Sequence, residues 1–125
     1  MAQGRGSAAA AAALTFLLGL FFLSQIAHAA VYTVGDSGGW GFNVVGWPKG
    51  KSFKAGDVLV FKYAKASHNV VAVNANGYKG CSTPSGAKVS QTGNDRITLA
   101  RGPSYFICNF PGHCEGGMKI AVTAA

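Results

Sequence analysis

Tyr105-Phe106-Ile107-Cys108 and Met118-Lys119-Ile120-Ala121-Val122 bracket the segment Asn109-Phe110-Pro111-Gly112-His113-Cys114-Glu115-Gly116-Gly117. The flanks are β-branched and aromatic, whereas the segment between them holds Pro and three Gly. The stretch therefore reads as two strands joined by a tight loop. The same pattern recurs upstream. Val31-Tyr32-Thr33-Val34 runs into the turn residues Gly35-Asp36-Ser37-Gly38-Gly39. Trp40 to Trp47 carries Phe42, Val44 and Val45 before Pro48-Lys49-Gly50 turns the chain. Val58-Leu59-Val60-Phe61-Lys62-Tyr63 follows the turn Ala55-Gly56-Asp57, and Val70-Val71-Ala72-Val73 is closed by Asn74-Ala75-Asn76-Gly77. Ala87 to Thr92 and Arg96 to Leu99 flank Gly93-Asn94-Asp95. Seven or eight short strands with turn signals every ~8–12 residues predict an all-β sandwich or barrel. No apolar period of helical type persists beyond two turns. Only a short helix is compatible with the pattern, within Asp36 to Asn43 or Gly80 to Gly86.

The loop between the last two strands carries chemistry. It spaces a thiol, an imidazole and a thioether as C-x4-H-x4-M, at Cys108, His113 and Met118. Pro111 and Gly112 allow a turn that folds these side chains toward one point. A second imidazole, His68, opens an upstream strand. Two His, one Cys and a weak axial Met are the ligand set of a trigonal blue-copper site. Each residue alone has a commoner role: a surface histidine, a core methionine, or half of a disulfide. Their joint placement points to a metal. Zinc prefers four Cys/His ligands in short paired motifs, and a thioether in the fourth place favours copper.

The chain has three cysteines, an odd number. Neighbouring side chains in an extended loop point apart, so Cys114 is poorly placed to share a metal with His113. Cys108 is assigned to the metal and Cys114 to a disulfide with Cys81; spacing alone leaves the reverse assignment open.

The chain is 125 residues long, with 11 Lys+Arg against 4 Asp+Glu and a formal charge of +7. Length allows one domain, and 12% charged against 49% hydrophobic residues excludes compositional disorder. Residues 1–29 read as a secretory signal peptide: Arg5, an apolar run from Ala8 to Leu23, then Ala27-His28-Ala29 as a small-residue cleavage site. An uncleaved signal anchor is the alternative. Cleavage after Ala29 leaves a domain of residues 30–125 with His68 and His113 as its histidines, and removes Arg5, lowering the charge to +6. No second apolar segment, lipid-anchor signal or N-x-S/T sequon is present, so a small secreted domain without a membrane anchor is expected.

The stretch from Ser104 to Cys114, followed by Gly117-Met118-Lys119-Ile120-Ala121-Val122, resembles the copper loop of the phytocyanins. Val34-Gly35-Asp36 with Gly39-Trp40, Phe53-Lys54-Ala55-Gly56-Asp57 and His68-Asn69-Val70-Val71 extend the likeness over nearly all of residues 30–125. Within that family the chain is most similar to the plantacyanins, or basic blue proteins: Met118 stands where stellacyanins use Gln, the chain is basic, and no stalk follows the domain. The resemblance implies a cupredoxin-like Greek-key β-sandwich with one type I copper ion near one end. It implies ligation by His68, Cys108, His113 and axial Met118, with a Cys81–Cys114 disulfide. It implies that Asn69 braces the metal loop by hydrogen bonds.

The implied function is single-electron transfer by Cu(II)/Cu(I) cycling in the plant extracellular space, the apoplast or cell wall. The rival reading is an extracellular signalling or wall-binding protein in which copper redox is secondary. No enzymatic activity is expected, because four filled copper positions leave no open one for a substrate. The expected partner is a redox protein or small redox molecule, and a monomer is expected. Lys49, Lys51, Lys54, Lys62, Lys65 and Lys79 are scattered over turns and strands without a nucleic-acid-binding motif. They suggest salt-dependent attraction to acidic wall polysaccharide instead. Trp40, Trp47, Phe61 and Tyr105 are expected in the core or at its edge.

Overall fold

The computed structural model describes residues 29–125. The signal-peptide segment, apart from Ala29, lies outside the described residues.

Seven strands form two sheets, in agreement with the all-β sandwich expected from the alternation. They are β1 Val31–Thr33, β2 Val58–Lys62, β3 Val70–Val73, β4 Lys88–Ser90, β5 Asn94–Thr98, β6 Gly102–Ile107 and β7 Lys119–Ala124. One sheet has the order β1-β2-β5 and the other β4-β3-β6-β7. β1 pairs parallel to β2, and the other neighbours are antiparallel. The chain changes sheet after β2, β4 and β5. That interleaving places strands distant in sequence face to face. Pro103 lies in β6 opposite Thr123, beyond the stretch where β3 covers β6, so its missing N–H breaks no ladder.

The core fills the space between the sheets. Leu59 and Phe61 of β2, Val70 of β3, Phe106 of β6 and Ile120 and Val122 of β7 meet there with Val34, Trp40 and Phe53. Trp40 and Phe61 stack edge to face with ring centroids 5.0 Å apart, an arrangement that favours the ring quadrupoles. Trp47 and Tyr105 are half-buried. The alternation of β6 decides the rest: Phe106 joins this core, while Ile107 points to the opposite face, into a second cluster with Val71 and Cys114. Both clusters end at residues of the Cys108–Met118 segment.

Three local expectations are corrected. First, Trp40–Trp47 is a run of turns, not a strand. Its amides bond outside any ladder, Trp40 N–H to the Lys62 carbonyl and Val44 N–H to that of Gly117. Trp40 and Val44 are buried while Phe42, two residues from each, is exposed, against the period of two that a strand would impose. Second, the helix is not within Gly80 to Gly86 but just before it: α1, Ala75–Gly80. Asn74, read as part of a turn, caps it by accepting from Gly77 N–H at 2.8 Å, and Cys81 ends it in the left-handed conformation. Gly77 and Gly80 are poor helix formers. Capping and packing of Tyr78 on the second cluster hold this helix instead of an amphipathic period. A Cβ at Gly77 would stand 2.7 Å from the Ser82 carbonyl oxygen, so the turn after the helix requires glycine there. Third, β5 starts at Asn94, inside the expected turn, because Asp95 is buried and bonded to Thr92. The other candidate window, Asp36 to Asn43, does contain a short 3-10 helix, Asp36–Gly38.

Candidate metal centre

The β6–β7 connection closes at its base. Cys108 N–H donates to the Met118 carbonyl at 3.0 Å, and Met118 N–H donates to that of His113 at 3.1 Å. Between them, His113 N–H bonds to Phe110 and Gly116 N–H to Gly112. Gly112 and Gly117 have φ of 80° and 87°, the left-handed region that glycine enters without steric cost. A Cβ at Gly117 would sit 3.1 Å from the backbone N of Asn43. The loop is thus wound tightly and pressed against the Trp40–Trp47 turns.

This winding brings the donors together. The Nδ1 atoms of His68 and His113 stand 3.0 Å apart, and Cys108 Sγ is 3.6 Å from His113 Nδ1. All three donor atoms lie within 4.8 Å of one another. Cys108 and Met118 are fully buried, and both histidines are half-buried. Cys108 is the free thiol, while Cys81 and Cys114 are joined with Cα atoms 5.6 Å apart. The open question of pairing is closed in favour of Cys81–Cys114. Cys114, Cys81 and Glu115 also cluster, but both sulfurs of that group are consumed by the disulfide.

Two neutral nitrogens and one soft sulfur converging on a point fit a copper ion. Burial, and after it the nearby His113, hold the His68 imidazole below its ordinary pKa. The neutral ring, the form that binds metal, is thereby favoured.

Asn69 connects the two ligand-bearing segments. Its carboxamide accepts from Asn109 N–H at 3.0 Å and donates to Asn109 Oδ1 at 2.6 Å. Its carbonyl accepts from Trp40 Nε1 at 2.9 Å. Asn69 follows His68 and Asn109 follows Cys108, so one reciprocal pair sets two ligands relative to each other across 40 residues. Asn109 in turn donates to Thr83 Oγ1.

Three residues of this region escaped the sequence reading. Asn109 was signalled only by its position next to Cys108. Thr83 had no signal. Phe42 lay in a stretch taken for a strand. Its ring is 49% exposed yet 4.9 Å from the His113 ring and 6.0 Å from that of His68. Phe110 flanks His113 from another side at 5.6 Å. A Cβ at Gly116 would meet the Phe42 ring at 2.8 Å, so glycine there admits the ring.

A β-sandwich that brings a Cys and a His of one closed loop against a His before a neighbouring strand, at one end, defines the cupredoxin class, whose sites hold one type I copper ion. Comparison with known proteins agrees. Residues 39–118 match the family described as the plastocyanin-like domain. The chain is 60% identical to a chemocyanin of Lilium longiflorum over 126 residues, covering all of both chains. It is 58% identical to a basic blue protein of Arabidopsis thaliana over 128 residues, 99% of each. Among solved structures, cucumber basic protein, a blue copper protein, superposes with a TM-score of 0.76 at 62% identity; 77% of this chain covers all of that one. The chain belongs to the plastocyanin-like family, in its phytocyanin branch.

Proposed function

We propose that the protein is a secreted, one-electron carrier that uses a single type I copper ion held by His68, Cys108, His113 and Met118, and that it is not an enzyme. The convergence of three donor atoms within 4.8 Å, two from a loop closed by its own backbone and one from His68 before β3, carries this reading. Copper would supply the one-electron couple. Cys108 would hold the ion through a sulfur shielded from water, and His68 and His113 through imidazole nitrogens, donors that suit both oxidation states. Met118, buried at the loop base, would add a weak thioether donor. Four protein donors leave no position for a substrate, which supports a carrier and not an oxidase. Reciprocal bonds between Asn69 and Asn109 hold the ligand frame, so little must move when an electron arrives.

Electrons reach the site at the Phe42 end. His113, half-buried like His68, stands beside exposed Pro111 and Gly112, and Phe42 extends its apolar edge to solvent. A redox protein or small redox molecule docks there. The extracellular setting is supported by the signal-like segment and by the Cys81–Cys114 disulfide, a bond that persists in oxidising compartments. Lys49, Lys54, Lys62, Lys65 and Lys79 are exposed and give a basic surface for weak, salt-dependent attraction to acidic polysaccharide.

Addition of copper(II) to the purified protein is expected to produce an intense blue absorption and an EPR signal of narrow copper hyperfine splitting. The Cys108→Ser variant should lose the colour while keeping its fold. A wild-type protein that stays colourless with bound copper would overturn the assignment.

A further inference from the structure

At the opposite end of the sandwich, one contact has no role in the metal chemistry. Asp57 is only 2% exposed, at the start of β2. Its carboxylate accepts from two backbone nitrogens, Ala30 N at 2.9 Å and Lys54 N at 2.8 Å. Its own carbonyl accepts from Leu99 N–H, and the Ala30 carbonyl accepts from Val58 N–H. Ala30 is therefore gripped at both its nitrogen and its oxygen, immediately before β1. The other buried carboxylate, Asp95, receives Tyr63 OH, Thr92 OH and Thr92 N–H. Asp57 has one donor fewer, and one of its two donors is the nitrogen at which the small-residue sequence Ala27-His28-Ala29 ends.

A buried carboxylate with only two neutral donors is under-compensated. Replacing one neutral amide by an ammonium at the same place would supply the missing charge. The full length of cucumber basic protein is covered by 77% of this chain, which is the share that residues 30–125 make up.

We propose that Asp57 is the receptor for the α-ammonium group created at Ala30 by the cleavage after Ala29 that the signal-peptide reading expects. Hydrolysis by a signal-type peptidase consumes one water, leaves a carboxylate on Ala29 and frees the amino group of Ala30. That group takes a proton and forms an ion pair with Asp57 through the contact already made by the nitrogen. Removal of the leader thus stabilises the domain that it leaves behind. Any added residue at the N-terminus moves the charge away from Asp57 and restores a neutral amide at Ala30.

The test uses the full chain expressed in a secreting host and loaded with copper. Mass spectrometry of the product is expected to place its first residue at Ala30. Selective Nα-acetylation of that product, or an inserted residue that leaves it one residue longer, should lower the melting midpoint by ~4–8 °C, a shift of the size one lost charged contact produces in a domain of this length. In Asp57→Asn the same modifications should have little further effect. Should that variant fail to fold, the wild type still decides. Its α-amino group should react with cyanate at neutral pH about tenfold more slowly than that of the peptide Ala-Val-Tyr, since each unit by which the ion pair raises the amine's pKa removes tenfold of its free base. A product beginning elsewhere, an unchanged midpoint after acetylation, or a cyanate rate equal to the peptide's would each overturn the proposal.

Discussion

Two buried polar side chains of different kinds tie chain segments together at opposite ends of the sandwich. At the metal end, Asn69 (4% exposed) both gives and accepts, joining the His68 segment to the Cys108 segment in a reciprocal pair. At the other end, Asp57 (2% exposed) only accepts, drawing in the nitrogens of Ala30 and Lys54. Both lie where strand ladders stop and backbone groups must find other partners. The neutral amide satisfies its neighbours without adding a charge of its own between the two ligand-bearing segments. The carboxylate stands where the polypeptide offers backbone nitrogens, far from any donor of the metal site. The contrast teaches that a cupredoxin-type site is held by non-local polar contacts as much as by its own loop.

The strongest way to break the metal end is to cut its covalent backing. Replacing Cys81 and Cys114 together by Ser opens a bridge between residues 33 apart. Loss of roughly 3.5–4 kcal/mol is expected from the chain-entropy contribution, measured as a lower urea midpoint. Blue colour should survive in the folded fraction, since Cys108 is untouched.

Asn69→Ala comes next. It strips partners from Asn109 N–H and from the Asn109 side chain, and a cost of about 1–3 kcal/mol is expected for the unsatisfied groups. Copper should also be released to a chelator faster, because His68 and Cys108 are no longer tied together. Asn69→Ala and Asp57→Asn should destabilise additively, being at opposite ends of the sandwich with no shared partner. Coupling between them would contradict the picture of two independent closures.

A pH experiment probes the wall behind His68. The Tyr63 hydroxyl is pushed up to about 12 from 10, by burial first and then by its hydrogen bond to Asp95. The folded state keeps this proton when the unfolded chain has lost it, so the contribution to stability is full below pH 10 and declines as pH rises toward about 12. Denaturant midpoints measured across that interval should fall more steeply in the wild type than in Tyr63→Phe.

Phe42→Ala should disturb stability least, within ~0.5 kcal/mol, as an exposed side chain does. It is nevertheless expected to slow electron exchange with redox partners, read from stopped-flow reduction, while the absorption spectrum stays almost unchanged. Equal rates in wild type and variant would remove Phe42 from the electron route.

Much of this was legible before any coordinates. Short β-branched runs between turn residues announced a sandwich, because strand pairing depends on local alternation. Trp40–Trp47 misled because its aromatic and β-branched residues are those of a strand, whereas Trp40 and Val44 turn inward and Phe42 outward, which no strand does. Helix α1 was hidden, since its Asn74 cap and the packing of Tyr78 replace the amphipathic signal.

The linear chain by itself determined the chemistry of the site. Thiol, imidazole and thioether at five-residue steps lie close enough along the backbone for one loop to gather them, so their kind and spacing carry the message. Only the tertiary structure decided what those residues lean on: Asn69 against Asn109 across 40 positions, Cys81 against Cys114 across 33, Phe42 over His113, and Asp57 against Ala30. Such contacts are selected by which strands the sheets place side by side, and the separation of two residues along the chain says nothing of their distance once the chain has crossed between sheets three times.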